Sequence, residues 1–464
     1  MLTKIVIKNG RAHASKALLV SAALLILPQI AAAQAPAPMS GEVEFSRGVG
    51  FAQAPGQTPR TLGKGLALSE GDRLTTSDAA LAVIKLQDGT RMTVRPNTEM
   101  VLQQYRFKEN APDNSMVMQL VRGGFRAITG LISKNSPNAA RIQTSTATIG
   151  IRGTDFDARV CAKDCNLEAK QTRQLARVNA VRASAKVISS RGDVYATDSS
   201  GQRRRLVDGG SMYPGDTVET NAAAQAVIAF RDESKLTLAA VSRLRIDNFV
   251  FDDKNPKEGR FLMSVLSGSV RAASGLIAKS NAQNASVNTA LASISLRGAE
   301  LSLDCTGACT GLATGGGLAL FNWQGLSEVI QTGQSVVQTL QSGQGLLISA
   351  AGVQTNNTPP VAALDSPTLT PTPLSLFVNS DVDESEEGLY VFVRDGHIQI
   401  TTQREILHLG QGEAGFSSND GLAQRPILIP RFLDFDRVPL PSSNNLVISS
   451  ILGNSGVRQP NMCR

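Results

Sequence analysis

Two close cysteine pairs, three histidines, one acidic run and a recurring Arg-Gly step are the residues of this chain with chemistry to offer. Cys161 and Cys165 form one C-x-x-x-C, Cys305 and Cys309 another, and Cys463 stands alone near the C-terminus. Four cysteines allow three pairings. In an oxidising compartment, close pairs read as disulfides. A local bridge needs a turn that brings the Cα atoms within ~7 Å, and Asp164 and Gly307 inside the loops suit one. A zinc site built from four thiolates is the competing reading, although its usual spacing is tighter. His13, His397 and His408 leave few ways to build a triad or a His-based metal site. His397 follows Asp395-Gly396 and reads as an exposed residue after a hairpin turn. The run Asp381 to Glu387 lacks the sharp glycine and the ligand spacing of a calcium loop, so it reads as solvated charge. No H-E-x-x-H, G-x-S-x-G, P-loop or S-x-x-K occurs, and nothing selects two carboxylates as a glycosidase pair. The expectation is a protein that is not an enzyme, with no cofactor and no metal.

The compartment follows from the first residues. Lys4, Lys8, Arg11 and Lys16 precede the apolar run Ala17 to Leu27, then Pro28 and Ala31-Ala32-Ala33. This is the three-part pattern of a cleavable signal peptide over 1–33, with a cut before Gln34. The run is too short to span ~30 Å of hydrocarbon. No later stretch reaches 18 uninterrupted apolar residues, so no integral membrane segment is expected after cleavage. The expected location is the periplasm or the cell exterior. Of the formal net charge of +7, the leader carries +4. The basic pI therefore gives little support to a nucleic-acid partner. Hydrophobics at 42% with aromatics at 4% predict a folded protein with aliphatic cores.

The elements that position these residues come in two copies. Arg47 to Cys165 recurs as Arg191 to Cys309, at an offset of 144 residues that becomes 145 over part of the copy. A constant offset over this length means a duplicated domain. Ile84 to Gln87 and Arg91 to Arg95 alternate apolar with polar residues about Asp88-Gly89, a hairpin pattern. The second copy keeps the phase, but its turn is Asp232-Glu233, and a looser connection is expected there. Between the copies, Leu167, Leu175, Val178 and Val181 sit at near-helical spacing, with a basic face that is solvated or meets an anionic surface.

The end of the first copy reads Thr144-Ser145-Thr146-Ala147-Thr148-Ile149-Gly150-Ile151-Arg152-Gly153-Thr154-Asp155-Phe156. Together with Gly71-Asp72, Asp88-Gly89-Thr90 and Gly123-Gly124-Phe125-Arg126, it resembles the FecR domain of bacterial envelope signalling proteins. The second copy resembles a diverged version, with Ala299 where Thr154 stands. The resemblance implies an all-β, somewhat solenoid-like or sandwich domain used for protein contacts, and no known chemistry. Signalling members place a cytoplasmic anti-sigma segment and a membrane helix ahead of this domain. Here a signal peptide is read in that place, so direct control of a sigma factor is not expected.

The expected organisation is a FecR-type domain over 41–165, a helical linker over 166–185, and a second domain with a Gly/Gln-rich β extension over 186–351. A Pro/Thr-rich connector over 352–376 and a C-terminal β module and tail over 377–464 complete it. The segments Leu409-Gly410-Gln411 and Thr332-Gly333-Gln334 look parallel, as parts of modules that extend a preceding domain. The segment 426–441 reads as a strap over the body. Arg152-Gly153-Thr154 and Arg297-Gly298 are candidate sites. Gly153 would let the backbone turn at a strand end or approach a neighbour closely, and a five-donor Arg just before it suits a latch on main-chain carbonyls; a grip on a carboxylate or glycan is the alternative. Cys161–Cys165 and Cys305–Cys309 are expected as disulfides. The expected function is that of a non-enzymatic periplasmic sensor or scaffold. Its partner would be an envelope protein such as a membrane receptor or signalling protein. A glycan- or peptidoglycan-binding module or weak cell-wall hydrolase is the alternative.

Overall fold

The computed structural model describes residues 38–434 apart from 136–138, 173–174, 307–308, 310–315 and 361–363. Among these, two fifteen-stranded sheets hold nearly all of the regular structure, so the fold is all-β with two repeated domains. The two sheets share a plan. In the first repeat, strand Leu81–Leu86 pairs antiparallel with Arg91–Val94, and Arg91–Val94 pairs with the far half of the long strand Ser115–Ile128. The near half of Ser115–Ile128 pairs with Glu99–Arg106. Strands Gln225–Phe230, Lys235–Leu238 and Arg260–Ala273 repeat the arrangement.

The turn of the first hairpin is built by Asp88. Its carboxylate accepts from Thr90 N at 3.1 Å and Thr90 Oγ1 at 2.9 Å. The loosening expected at Asp232-Glu233 does not occur. Asp232 accepts from Ser234 N at 3.1 Å and Ser234 Oγ at 2.8 Å, and Glu233 takes φ +68°. The Asx-type carboxylate bonds hold the left-handed residue that glycine would adopt freely.

The last strand of each repeat is 14 or 15 residues long and gains a partner from further along the chain. Ala292–Thr306 pairs with Gly317–Gln331 over its whole length, and Leu346 to Ile348 joins the same core. The first repeat finds its partner much later. Thr148–Cys161 pairs antiparallel with Gly388–Thr401, from Thr148 opposite Thr401 to Cys161 opposite Gly388. Leu389, Val391, Val393, Ile398, Ile400, Leu407 and Leu409 are buried in the core of the first repeat. Each such side chain contributes about 1.5–3 kcal/mol when fully buried. The C-terminal strands therefore belong to the first sheet, and the second repeat is nested between two parts of the first.

Gly388–Thr401 runs as one strand, where a hairpin about Asp395-Gly396 was expected. Thr148–Cys161 likewise continues through Gly153, which makes the close approach to a neighbour and not the strand-ending turn. Both glycines sit at a β-bulge, with φ +57° at Gly153 and +90° at Gly396. A Cβ on Gly396 would lie 2.5 Å from the Gly153 carbonyl oxygen, so only glycine lets the strands approach. The second repeat uses Gly298 and Gly325 in the same way, and a Cβ on Gly325 would lie 2.2 Å from the Gly298 oxygen.

The linker differs from the amphipathic helix expected over 166–185. Helix Cys165–Gln171 is its only helix among the described residues, and Arg177–Val178 is a short strand paired with Leu428–Ile429. Leu167, on the helix, and Leu175 and Val178, beyond it, are all exposed, so the near-helical spacing does not mark a buried face. What anchors the linker is the buried Asn179. Its side chain donates to the Ala414 and Pro426 carbonyls at 2.8 and 2.7 Å and accepts from Ala414 N at 2.8 Å. The connector packs on the second repeat, where Thr237 Oγ1 donates to Asp365 O at 3.1 Å and Lys235 Nζ to Thr370 O at 2.7 Å. The strap is described as far as residue 434. Phe432 and Leu433 are buried, and the Phe432 ring meets Tyr390 edge-on at 5.1 Å. Cys463 and the rest of the strap lie outside the described residues.

Candidate interaction site at the junction of the repeats

The extensions correspond strand for strand. Gly343 N donates to Asn322 O at 2.7 Å, and Gly412 N donates to Val393 O at 2.8 Å. The turn 410–413 thus matches 341–344, and not Thr332-Gly333-Gln334 as the sequence suggested. In the C-terminal copy this turn meets the second repeat and forms a buried polar junction.

Strand Ala185–Arg191 of the second repeat carries Lys186 into the junction. Lys186 Nζ lies 2.9 Å from Glu413 Oε2, and Arg425 lies 2.9 Å from the same oxygen on its other side. All three side chains are fully buried. Arg425 also donates to the carbonyls of Ser375, Val378 and His408 at 3.0, 3.1 and 2.9 Å. One guanidinium thereby fixes the connector, the C-terminal strands and the carboxylate that holds the second repeat. Burial works against the charge on Glu413, but Lys186 and Arg425 outweigh it and hold the carboxyl below its usual range. Burial wins at Lys186, pulling it down to about 8 against the opposing pull of Glu413.

Beside this network, His408 Nδ1 lies 3.3 Å from His397 Nε2. His397 is therefore half-buried at the junction, and not the exposed turn residue expected from Asp395-Gly396. Burial lowers both imidazoles, and the neighbouring Lys186 and Arg152 lower them further; His408 falls to about 4. The His408 ring sits where the second repeat presents Gly209, at φ +76°. A Cβ there would lie 1.9 Å from the imidazole Cγ. Tyr213 Oη accepts from Gln411 N at 3.1 Å. The hydrogen bonds run mainly to the main chain and the charges pair across the junction, an arrangement suited to holding two domains in register.

Arg152 reaches this junction from the first repeat, opposite His397 in the strand register. Burial lowers it, while Asp208 of the second repeat supports its charge and Arg205 opposes it. Thr154 Oγ1 donates to His397 O at 2.9 Å, and Thr154 N donates to Thr129 Oγ1 at 2.8 Å. Arg297 is placed differently. It is half exposed and pairs with Glu328 at 3.0 Å rather than with carbonyls. The structure thus brings Arg152 together with His397 and His408 and leaves Arg297 apart. The motif arginine with a bidentate partner is Arg126, at 3.0 and 2.8 Å from the Asp155 carboxylate; its counterpart Arg271 meets Glu300 at 2.7 Å.

Both close cysteine pairs are disulfides, with Cα–Cα distances of 5.5 Å for Cys161–Cys165 and 5.1 Å for Cys305–Cys309. The first fixes helix Cys165–Gln171 at the end of its strand. There Glu168 meets Arg95 and Arg159, the latter at 3.2 Å. No helix among the described residues is long and apolar enough to cross a membrane.

Sequence reasoning missed Lys186, Glu413 and Arg425. Each is an isolated charge in its own segment, and only the nested topology brings them together.

The site therefore sits on a tandem all-β repeat with cross-braced Arg–acid pairs and a disulfide in each copy. The FecR protein family model matches two successive segments, residues 72–182 and 216–314, one in each repeat. No match was found among curated proteins. Two crystal structures of an anti-sigma factor candidate from Parabacteroides distasonis resemble part of the chain, at 15% and 14% identity. Each match has a TM-score of 0.24 and covers 30% of this chain and 59% of the other.

Proposed function

We propose that the chain is a non-enzymatic periplasmic protein that acts as a sensor or scaffold through protein–protein contacts in the cell envelope. The observation that carries this reading is the pair of FecR domains, at 72–182 and 216–314, in a chain with a leader-like N-terminus. FecR domains serve regulatory roles, so a protein partner in envelope signalling is the natural expectation. The two disulfides fit an oxidising compartment, and the apolar leader with its small-x-small site fits cleavage before Gln34. The junction supports the scaffold reading, because a buried ion-pair network fixes the mutual orientation of the repeats and hence of their outer surfaces.

Chemical cross-linking in intact cells, followed by affinity capture of the exported chain, tests the proposal. A discrete envelope protein captured by the wild type and lost on denaturation before cross-linking is expected. Capture of peptidoglycan fragments without protein would overturn it in favour of the glycan-binding alternative.

A further inference from the structure

The junction is used once inside the molecule, yet both of its faces are present twice. The second repeat docks through Lys186, Asp208, Gly209 and Ser211. The first repeat presents Glu42, Lys64, Gly65 and Ala67 on the same backbone. Gly65 N donates to Val43 O at 2.8 Å, as Gly209 N does to Val187 O, and Val43 N donates to Leu66 O as Val187 N does to Gly210 O, each at 3.0 Å. On the first repeat no described residue covers this face: Glu42, Lys64, Gly65 and Ala67 are all exposed. Gly65 keeps the left-handed conformation at φ +83°, with nothing within 4 Å of the position its Cβ would take. That is the space which, at Gly209, the His408 ring fills.

The charges on the two faces are inverted. Lys186, which meets Glu413, is matched by Glu42. Asp208, which supports Arg152, is matched by Lys64. The face is therefore built to the same shape with the opposite pattern. A second copy of this chain would offer the matching outer end of its second repeat, Gln344 where Glu413 stands and Arg297 where Arg152 stands. Arg297 would then face Lys64, and like charges disfavour that contact.

We infer that Glu42, Lys64 and Gly65 form a docking face for a different protein. That partner presents the turn end of a β-sheet with a cation over Glu42, a carboxylate over Lys64 and a side chain filling the space above Gly65. This rests on the protein-contact reading and gives it a surface and a partner chemistry.

An engineered end of the same chain serves as the probe. Arg297→Glu with Gln344→Lys gives the second repeat the charge pattern the face requires, so the double variant should join end to end. Sedimentation velocity of the full exported chain at low salt is expected to show a single unassembled species for wild type. The double variant should show concentration-dependent larger species, with at least tenfold stronger association. Adding Glu42→Lys and Lys64→Asp should abolish them. Gln344→Lys alone, on an exposed turn, should show a weaker shift and covers the case in which Arg297→Glu disturbs the strand. A folded variant that sediments as wild type overturns the proposal. So does wild type that assembles and is dispersed by Glu42→Lys, which makes a second copy the occupant. Either failure leaves the cross-linking result on protein against glycan untouched, so the two readings fail separately.

Discussion

Lys186 and Glu413 form a fully buried ion pair at 2.9 Å across 227 residues of chain. The pair exists because Glu413 lies on the turn between two strands, Ile406–Leu409 and Ala414–Ser418, that complete the first repeat, while Lys186 lies on the first strand of the second. With Arg425, it turns two repeats and their connector into one arrangement. Taking ions out of water is costly and is offset only by close partners and full hydrogen bonding. Such a network therefore fixes geometry more than it adds stability.

Removing the shared anion should show this. Glu413→Gln leaves Lys186 and Arg425 buried without a counter-charge, and a loss of roughly 3–5 kcal/mol is expected. Urea unfolding monitored by Trp323 fluorescence and far-UV circular dichroism measures it. A loss below about 1 kcal/mol would mean that water reaches the junction.

Acid should loosen the same junction earlier than ordinary carboxylates do. His397 and His408 are held neutral in the folded chain, His408 down to about 4, whereas unfolded histidine titrates near 6.5. Below pH 6.5 the unfolded chain therefore binds more protons, and stability falls as pH falls. The slope approaches ~1.4 kcal/mol per pH unit for each histidine, until about pH 4 for His408. Urea midpoints at pH 7, 6 and 5 should decline, and His397→Gln with His408→Gln should flatten the decline. An equal slope in the variant would mean that the histidines do not set the acid response.

Two bulge glycines, Gly396 and Gly298, make a contrasting pair. Gly396→Ala places a methyl 2.5 Å from the Gly153 oxygen and should cost more than ~2 kcal/mol, because the strands must separate. Gly298→Ala meets open space and should cost only the ~1 kcal/mol of a left-handed alanine. Thermal melts of both variants decide whether the close approach is real.

The arginines of the repeated Arg-Gly step should also separate. Arg297→Ala removes a half-exposed pair with Glu328 and should cost under ~1 kcal/mol. Arg152→Ala empties part of the junction and should cost ~1.5–3 kcal/mol. Equal losses would restore a common latch role for the two.

What the sequence carried was local. Alternation about Asp88-Gly89, the 144-residue offset and the two C-x-x-x-C pairs each lie within a few residues or repeat at a fixed spacing, and they identify the β repeats and their disulfides. Glu233 misled because its turn is held by Asp232 and Ser234, side chains that substitute for glycine's freedom. Asp395-Gly396 misled because a glycine at a bulge and a glycine at a turn leave the same mark in sequence. The junction was not legible, because Lys186, His408, Glu413 and Arg425 are single residues whose pairing depends on the chain's return to its first sheet.

Amide hydrogen exchange of the intact chain reads the return of the C-terminal strands to the first sheet most directly. Strand Thr148–Cys161 is paired on one side by Ser115–Ile128 and Ala140–Gln143 and on the other by Gly388–Thr401. Peptides from 148–161 and 388–401 are expected to be protected together and to exchange in one cooperative step, as interior strands of one sheet do. Fast exchange of 388–401, with 148–161 protected only at alternate amides like an edge strand, would contradict it.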